Sequence, residues 1–393
     1  MRVLLLGEGN AEARDSWSGS SKSIVDALRA CGETVIPADV DLYGAKRVLV
    51  AAMTYAPDRE RWRMRFRLGG IPYRFRSSNA ADRIVRAEPP IDIILQIGAT
   101  FEPSRHGAVP YALICDSNIE LARHGAATGY SEAASLTTSE LRDIKAREAA
   151  IYSQASVIFT LSERTRRSFI EDFGVPPDRV RAVYAGPNFD PEALRLPTRV
   201  SASRPPTVLF VGRQFERKGG DTLLAAFRKV RHEIEDAQLV IVGPDHLDVD
   251  DAGVVSRGFI DKSTPTGWES LIQLYASADV FCLPTRFEAF GVAYIEAMHF
   301  GLPCIGTNVW AVPEIVADRH TGYLISPNDV DALADRLILL LRDRHVARQM
   351  GEAGRDRARE LFTWRHTAER MIESLKRVVS SSSSVTRPAP TPA

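Results

Sequence analysis

Along this chain, short apolar runs ending in glycine or a polar residue alternate with longer stretches of helical periodicity. In the first half the runs are RVLLLG at 2–7, IDIILQIG at 91–98, YALICD at 111–116 and ASVIFTLS at 155–162. Strands alternating with helical segments predict parallel βαβ units. The pattern restarts after RLPTRVSASRPPT at 195–207, whose Pro, Ser and Arg content reads as a linker. TVLFVG at 207–212 reads as a new first strand, followed by QLVIVG at 238–243, DVFCLP at 279–284 and LPCIGT at 302–307. The expected fold class is α/β, with two facing doubly wound, Rossmann-like domains. One spans 1–195 and the other 205–364, with ligands at the carboxyl ends of their strands in the cleft between them. SSSSSVTRPAPTPA at 380–393 reads as a disordered tail.

Composition removes whole classes of function. Of 393 residues, 45% are hydrophobic and 25% charged, the balance of a chain that buries cores. Fifty Lys and Arg offset fifty Asp and Glu, so no global field recruits nucleic acid. Cys31, Cys115, Cys282 and Cys304 show no CxxC spacing, which argues against a disulfide framework or a thiolate metal site and fits a reducing compartment. Apolar runs fall short of the roughly 20 residues a spanning helix needs, and Met1 leads directly into a strand-like run. A cytoplasmic protein is expected, either soluble or peripheral at the inner face of the membrane.

One segment departs from this balance. RERWRMRFRLGGIPYRFR at 59–76 interleaves arginine with Trp62, Met64, Phe66, Tyr73 and Phe75. Two readings stand: an element that contacts a membrane surface or polyanion, and a solvated insertion whose aromatics pack inward.

Candidate chemistry concentrates at 281–310. A strand ends at Leu283-Pro284, a loop carries Glu288, and a helix opens near Phe290-Gly291 and runs to about Phe300, where Gly301 stops it. Glu296 lies on that helix, on the order of 12 Å along the axis from Glu288. Between the carboxylates, the free N–H groups of Phe290, Gly291 and Val292 form an anion site. A nucleoside-diphosphate sugar spans this arrangement, with diphosphate on the helix N-terminus, sugar hydroxyls on Glu288 and ribose hydroxyls on Glu296. The plainer alternative makes Glu288 a loop charge and Glu296 a surface residue.

VGRQFERKGGDTLLAAF at 211–227 supplies cations. A strand leads to a loop bearing Arg213 and Lys218, and then to a helix opened by Gly219 and Gly220, which let backbone approach a ligand. A departing nucleoside diphosphate gains charge in the transition state, and without a metal that charge requires fixed Arg and Lys donors.

Taken together, VGRQFERKG, RGFIDKS at 257–263, YASADVFCLPTRFEAFGVAYIEAMHFGLPCIGT and VPEIVADRHTGYLISPND resemble the C-terminal domain of family-four, retaining, GT-B glycosyltransferases over roughly 205–370. The resemblance implies that EAFGVAYIE is an E-x7-E donor signature, with Glu288 and Glu296 its carboxylates. It assigns Arg213 and Lys218 to the donor diphosphate, and the backbone around Gly258, Phe259 and Ile260 to the base. FTWRHTAERMIESLKRVV at 362–379 resembles the last helix of that family, which crosses back onto the N-terminal domain. In the N-terminal half, SVIFTLSERTRRSFIEDFGVPPDRVRAVYAGPNFD at 156–190 looks like the family's strand, Ser-bearing loop, helix and turn. SWSGSSKSIVDALRACG at 16–32 occupies a loop where many relatives carry a Gly-Gly pair. Here Gly19 stands between serines, still able to approach the donor. Many relatives place His-Asp where this chain has Cys115-Asp116, so Asp116 inherits only the second position. His124 lies two turns further along, where a lone histidine is more often structural.

Asp39-Val40-Asp41 and Asp248-Val249-Asp250 are DxD strings, but neither follows the strand context that such metal sites require, so both read as loop carboxylates. No resident metal or cofactor is expected. The resulting expectation is a metal-independent, retaining transfer of sugar from a nucleoside-diphosphate sugar to a saccharide or lipid-linked acceptor in polysaccharide or glycoconjugate biosynthesis. The alternatives are a nucleotide-sugar epimerase or hydrolase of the same architecture, which would need an acid/base set at the anomeric centre, and a non-catalytic nucleotide-binding protein.

Overall fold

The structure is a computed structural model that describes residues 1–13, 16–88, 90–103, 109–126, 129–191 and 204–385. It resolves into two compact units, one formed by 1–184 with 364–393 and the other by 185–363. The second unit therefore begins about ten residues before the proline- and serine-rich linker, most of which lies outside the described residues.

The first unit runs β1 (Arg2–Gly7), α1 (Ser20–Ala30), β2 (Thr34–Asp39), α2 (Gly44–Met53), α3 (Arg59–Leu68), α4 (Gly70–Arg86), β3 (Ile93–Ile97), β4 (Tyr111–Cys115), α5 (Ile119–Ala126), α6 (Thr138–Gln154), β5 (Val157–Thr160), α7 (Glu163–Glu171) and β6 (Val180–Ala182). Its six strands form one parallel sheet in the order β2-β1-β3-β4-β5-β6. β1, β3, β4 and β5 are buried nearly end to end, as strands covered by helices on both faces require. Local chemistry sets the helix starts. Thr137 and Glu140 form a reciprocal capping box on α6, and the Ser162 hydroxyl accepts the Thr165 N–H on α7.

The second unit continues with β7 (Thr207–Val211), α8 (Gly220–Glu233), β8 (Gln238–Val242), β9 (Val254–Ser256), α9 (Pro265–Ser277), β10 (Val280–Cys282), α10 (Val292–His299), β11 (Cys304–Thr307), α11 (Val312–Ile315), β12 (Gly322–Ile325), α12 (Val330–Arg342) and α13 (Arg344–Leu361). Its parallel sheet has the order β12-β11-β10-β7-β8-β9. In both sheets the order reverses beside the first strand, which opens a crevice at the carboxyl ends.

The last helix, α14 (Trp364–Val385), belongs to the first unit. It packs on α1, and beyond β6 it is tied by Thr367 Oγ1, which donates to the Tyr184 carbonyl at 3.4 Å, and by an Arg370 guanidinium, which donates to the Val183 carbonyl at 3.0 Å. The helix corrects part of the sequence reading, because residues 380–385 are helical rather than tail. The serines there bond their own helix: Ser380, Ser381 and Ser382 each donate to the carbonyl four residues back at 2.8–3.0 Å. The remainder of the expected tail lies outside the described residues.

Candidate functional site

In the second unit, two loops at the carboxyl ends of adjacent strands are laced together. One runs from β7 into α8 and carries Arg213 and Lys218; the other runs from β10 into α10 and carries Glu288. The Arg286 N–H donates to the Arg217 carbonyl at 2.9 Å, and the Arg217 guanidinium donates back to the Phe287 carbonyl at 2.6 Å. Arg286, itself buried, closes a fork on Asp221 at 2.6 and 2.8 Å and also reaches Thr222 and Asn328. Gly219 is required here. Its φ is 74°, and a Cβ would fall 2.0 Å from the Pro284 carbonyl oxygen.

The lacing brings Lys218 onto buried Glu288, where ammonium and carboxylate form a largely buried ion pair. Burial pushes the Lys218 pKa down, the Glu288 charge pulls the other way and the neighbouring Arg217 reinforces the depression. Three residues beyond Glu288, Gly291 caps α10 at φ 110°, so the helix opens at Val292 rather than at Phe290, and its first N–H groups lie at the same loop.

Glu296 is fully buried, so it is not the surface helix residue of the plainer reading. The Tyr275 hydroxyl donates to it at 2.9 Å, the Lys262 ammonium reaches both oxygens at 3.3 Å, and the Asn188 backbone N–H donates at 3.4 Å. Burial and the Glu296 charge push the Tyr275 pKa up. The Asn188 side-chain oxygen is buried without a hydrogen-bond partner among the described residues. Sequence reasoning missed Lys262, Tyr275 and Asn188 as members of this cluster. Lys262 lay inside the quoted RGFIDKS string, but only the fold shows which carboxylate it faces.

Arg213 is not brought to the Lys218–Glu288 pair. Its side chain is 69% exposed, 3.7 Å from Asp245, and its guanidinium lies 4.9 Å from the centre of the Phe259 ring. Phe259, itself exposed, sits beside Gly258, whose φ is 65° and whose carbonyl accepts the Gly243 N–H at 2.9 Å. Thus Arg213, Gly258, Phe259 and Ile260 share one edge, while Lys218, Glu288 and the α10 N-terminus share the neighbouring loops.

In the first unit, Asp116 follows β4, and Trp17 Nε1 donates to its carboxylate at 3.3 Å. Burial raises the Asp116 pKa, with Arg67 and the Trp17 bond opposing. Trp17 and Gly19 both have positive φ, 45° and 95°, and Gly19 caps α1. Asp116 and Gly19 are therefore linked through one turn. Cys115 is buried, with its thiol pushed up. His124 lies on α5 with its Nδ1 buried and without a hydrogen-bond partner among the described residues.

The arginine and aromatic segment forms α3 and α4, and its ring systems are engaged within the unit. Trp62 Nε1 donates to the Ala51 carbonyl at 2.9 Å, Met64 is buried, and Phe66 lies under the guanidinium groups of Arg47 and Arg76. Arg61 and Arg65 face Glu140, while buried Arg76 pairs with Glu8 at 2.8 Å and Asp41 at 3.3 Å. Of the DxD strings, Asp39 accepts the Gly9 and Asp41 N–H groups, so its carboxylate serves the loop backbone.

Comparison with known proteins places this geometry. Both units have the doubly wound architecture of the GT-B glycosyltransferase fold. Sucrose-phosphate synthase from Thermosynechococcus elongatus superposes with a TM-score of 0.71 at 20% identity, covering 97% of this chain and 100% of that one. The chain is 32% identical to the GDP-mannose-dependent alpha-(1-6)-phosphatidylinositol monomannoside mannosyltransferase of Mycolicibacterium smegmatis, across 57% of this chain and 63% of that protein. It is 29% identical to the MMP alpha-(1->4)-mannosyltransferase of Mycolicibacterium hassiacum, across 58% and 55%. The matches thus span less than two thirds of these relatives' length. Residues 197–357, which hold Arg213, Lys218, Glu288 and Glu296, match glycosyl transferases group 1. Over that stretch the chain is similar to the glycosyl transferases group 1 family.

Proposed function

We propose that the protein transfers a sugar from a nucleoside-diphosphate sugar to an acceptor hydroxyl, with retention at the anomeric carbon and without a resident metal. The observation that carries this reading is the placement of the largely buried Lys218–Glu288 pair at the N-terminus of the helix that also bears buried Glu296. The donor diphosphate takes the α10 N–H groups and draws Lys218 from Glu288, whose freed carboxylate accepts the sugar hydroxyls. Ribose hydroxyls donate to Glu296, displacing the 3.3 Å contacts of Lys262. Arg213, long and exposed, swings from Phe259 to the diphosphate, leaving the Phe259 and Ile260 edge for the base. The leaving phosphate oxygen accepts the proton of the acceptor hydroxyl, while Lys218 and Arg213 hold the charge that develops.

The acceptor is a saccharide or a lipid-linked saccharide, and the work takes place on the cytoplasmic side. Because relatives are named for GDP-mannose, that donor heads the list to test. A thermal-shift screen of nucleotides and nucleotide-sugars comes first, since ligand at 100 times its dissociation constant stabilises by about 2.7 kcal/mol. The best donor is then incubated with and without saccharide acceptors. Transfer that requires acceptor and survives a chelator supports the proposal; conversion of donor alone establishes the epimerase or hydrolase alternative, and binding without turnover the non-catalytic one.

A further inference from the structure

The helix α2 is held to the first unit by very little of its own surface. Val50 is its one buried residue. Val48 is 69% exposed, and Leu49, Met53 and the flanking Tyr43 and Tyr55 are each at least half exposed. Among the described residues, five of the seven large exposed hydrophobic side chains belong to this stretch of 43–55. At 100° per residue, Val48, Leu49, Ala52 and Met53 share an arc of about 140°, with Val50 and Ala51 outside it. This is an amphipathic helix whose apolar face points away from the fold. It is not frayed, because Trp62 Nε1 donates to the Ala51 carbonyl at 2.9 Å and the Arg47 guanidinium lies 5.3 Å from the centre of the Phe66 ring.

The charge around the face selects its partner. From Leu42 to Arg67 the chain carries seven cations, Lys46, Arg47, Arg59, Arg61, Arg63, Arg65 and Arg67, against two acidic residues, exposed Asp58 and Glu60. A second copy docking face to face would oppose these cations to their own counterparts, whereas an anionic bilayer surface complements them and takes up the apolar side chains.

The geometry points to α2, with Tyr43 and Tyr55 at its ends, as a docking face for anionic lipid. Val48, Leu49 and Met53 enter the headgroup boundary while Lys46, Arg59 and Arg63 meet lipid phosphate. Trp62 and Phe66, already packed, take no part. This face is independent of the transfer reading, because it uses no residue assigned to the donor.

Flotation of the full chain with vesicles of phosphatidylcholine alone or mixed with phosphatidylglycerol, at low and high salt, tests it. Binding should need the anionic lipid, weaken with salt and fall on the order of tenfold or more in the Val48→Ser, Leu49→Ser, Met53→Ser triple variant. Lys46→Gln with Arg63→Gln should weaken it further at low salt than at high salt. In a separate Leu49→Trp variant, the emission of the added indole should shift to the blue on vesicles and be quenched by brominated acyl chains. Nucleotide thermal shifts should match wild type in every variant, which keeps failure of this face distinct from failure of the transfer reading. Flotation unchanged by the triple variant, no flotation with anionic vesicles at low salt, or a dimer in sedimentation equilibrium that the triple variant abolishes would each overturn the proposal.

Discussion

The Lys218 ammonium and the Glu288 carboxylate, seventy residues apart in sequence, are largely buried against each other where two strand-end loops meet. Removing one partner strands the other charge in a poorly solvated place. Glu288→Ala should therefore cost about 3–5 kcal/mol of stability, and the Glu288→Gln, Lys218→Met double variant distinctly less. Denaturant melts of the three proteins check this, and equal losses for single and double variants would mean the charges are not coupled. Free nucleoside diphosphate should bind Glu288→Gln as tightly as wild type or more tightly, because Lys218 is released to phosphate, while transfer falls on the order of a hundredfold or more.

Glu296 behaves differently because its carboxylate gathers Tyr275, Lys262 and the Asn188 N–H. Glu296→Ala should weaken free nucleoside diphosphate by at least tenfold, the loss of about one charge-assisted bond, if ribose and not the transferred sugar is its ligand as proposed. Lys262→Met should have the opposite sign, because it removes the cation that competes with ribose. Calorimetry with a ribonucleotide and its deoxyribose counterpart decides the assignment: the Glu296→Ala defect should vanish for the ligand that lacks the hydroxyl. An equal defect for both sugars would place ribose elsewhere.

The strand ends and the placement of the two carboxylates around a helix start were legible because each is written locally. RVLLLG, YALICD and TVLFVG are apolar runs stopped by a polar residue or glycine, and Glu288 and Glu296 flank a helix start marked by Gly291. β2, β6, β9 and β12 were not read, since a proline interrupts TVIPAD and the other three are only three or four residues long. The Lys218–Glu288 pairing and the Lys262 contact depend on parallel strands placing distant loops side by side, which no periodicity records. The serine run from Ser380 reads as tail because polar runs lack a buried face, yet the hydroxyls of Ser380, Ser381 and Ser382 bond within the helix.

Opposite pH dependences are expected in the two units. Burial on α10 lowers the His299 pKa to about 4, against 6.5 for the unfolded residue, with the Phe362 carbonyl opposing. The unfolded chain takes up the proton first, so stability falls as pH drops below 6.5 and the loss is complete below about 4. It amounts to about 3 kcal/mol. Burial raises the Glu148 pKa from 4.5 to about 8, while its carboxylate oxygen accepts the Ile119 N–H at 3.0 Å. Here the unfolded chain loses its proton first, so stability falls as pH rises from 4.5 through 8. Glu148→Gln, neutral at every pH, should flatten that alkaline decline, and His299→Gln the acid one. Denaturation midpoints of the full chain at pH 5, 6.5 and 8 supply the check, and parallel curves for wild type and Glu148→Gln would show that the carboxyl is already ionised in the fold.

The same logic separates the arginines of 59–76, which composition alone makes look alike. Arg76 is buried, pairs with Glu8 and Asp41, donates to the Arg67 carbonyl at 2.9 Å and lies against the Phe66 ring. It joins the ends of β1 and β2 to α3 and α4. Arg76→Met keeps the volume but leaves a carbonyl and two part-buried carboxylates to find water, at a cost of about 3 kcal/mol or more. Arg63 is exposed and 4.0 Å from Glu60, so Arg63→Gln should stay within about 0.5 kcal/mol of wild type. Equal denaturation midpoints for Arg76→Met and Arg63→Gln would show that the Arg76 pairs contribute nothing to the fold. A large loss confined to Arg76→Met would show that this arginine of the segment holds the fold, while Arg63, exposed beside Glu60, does not.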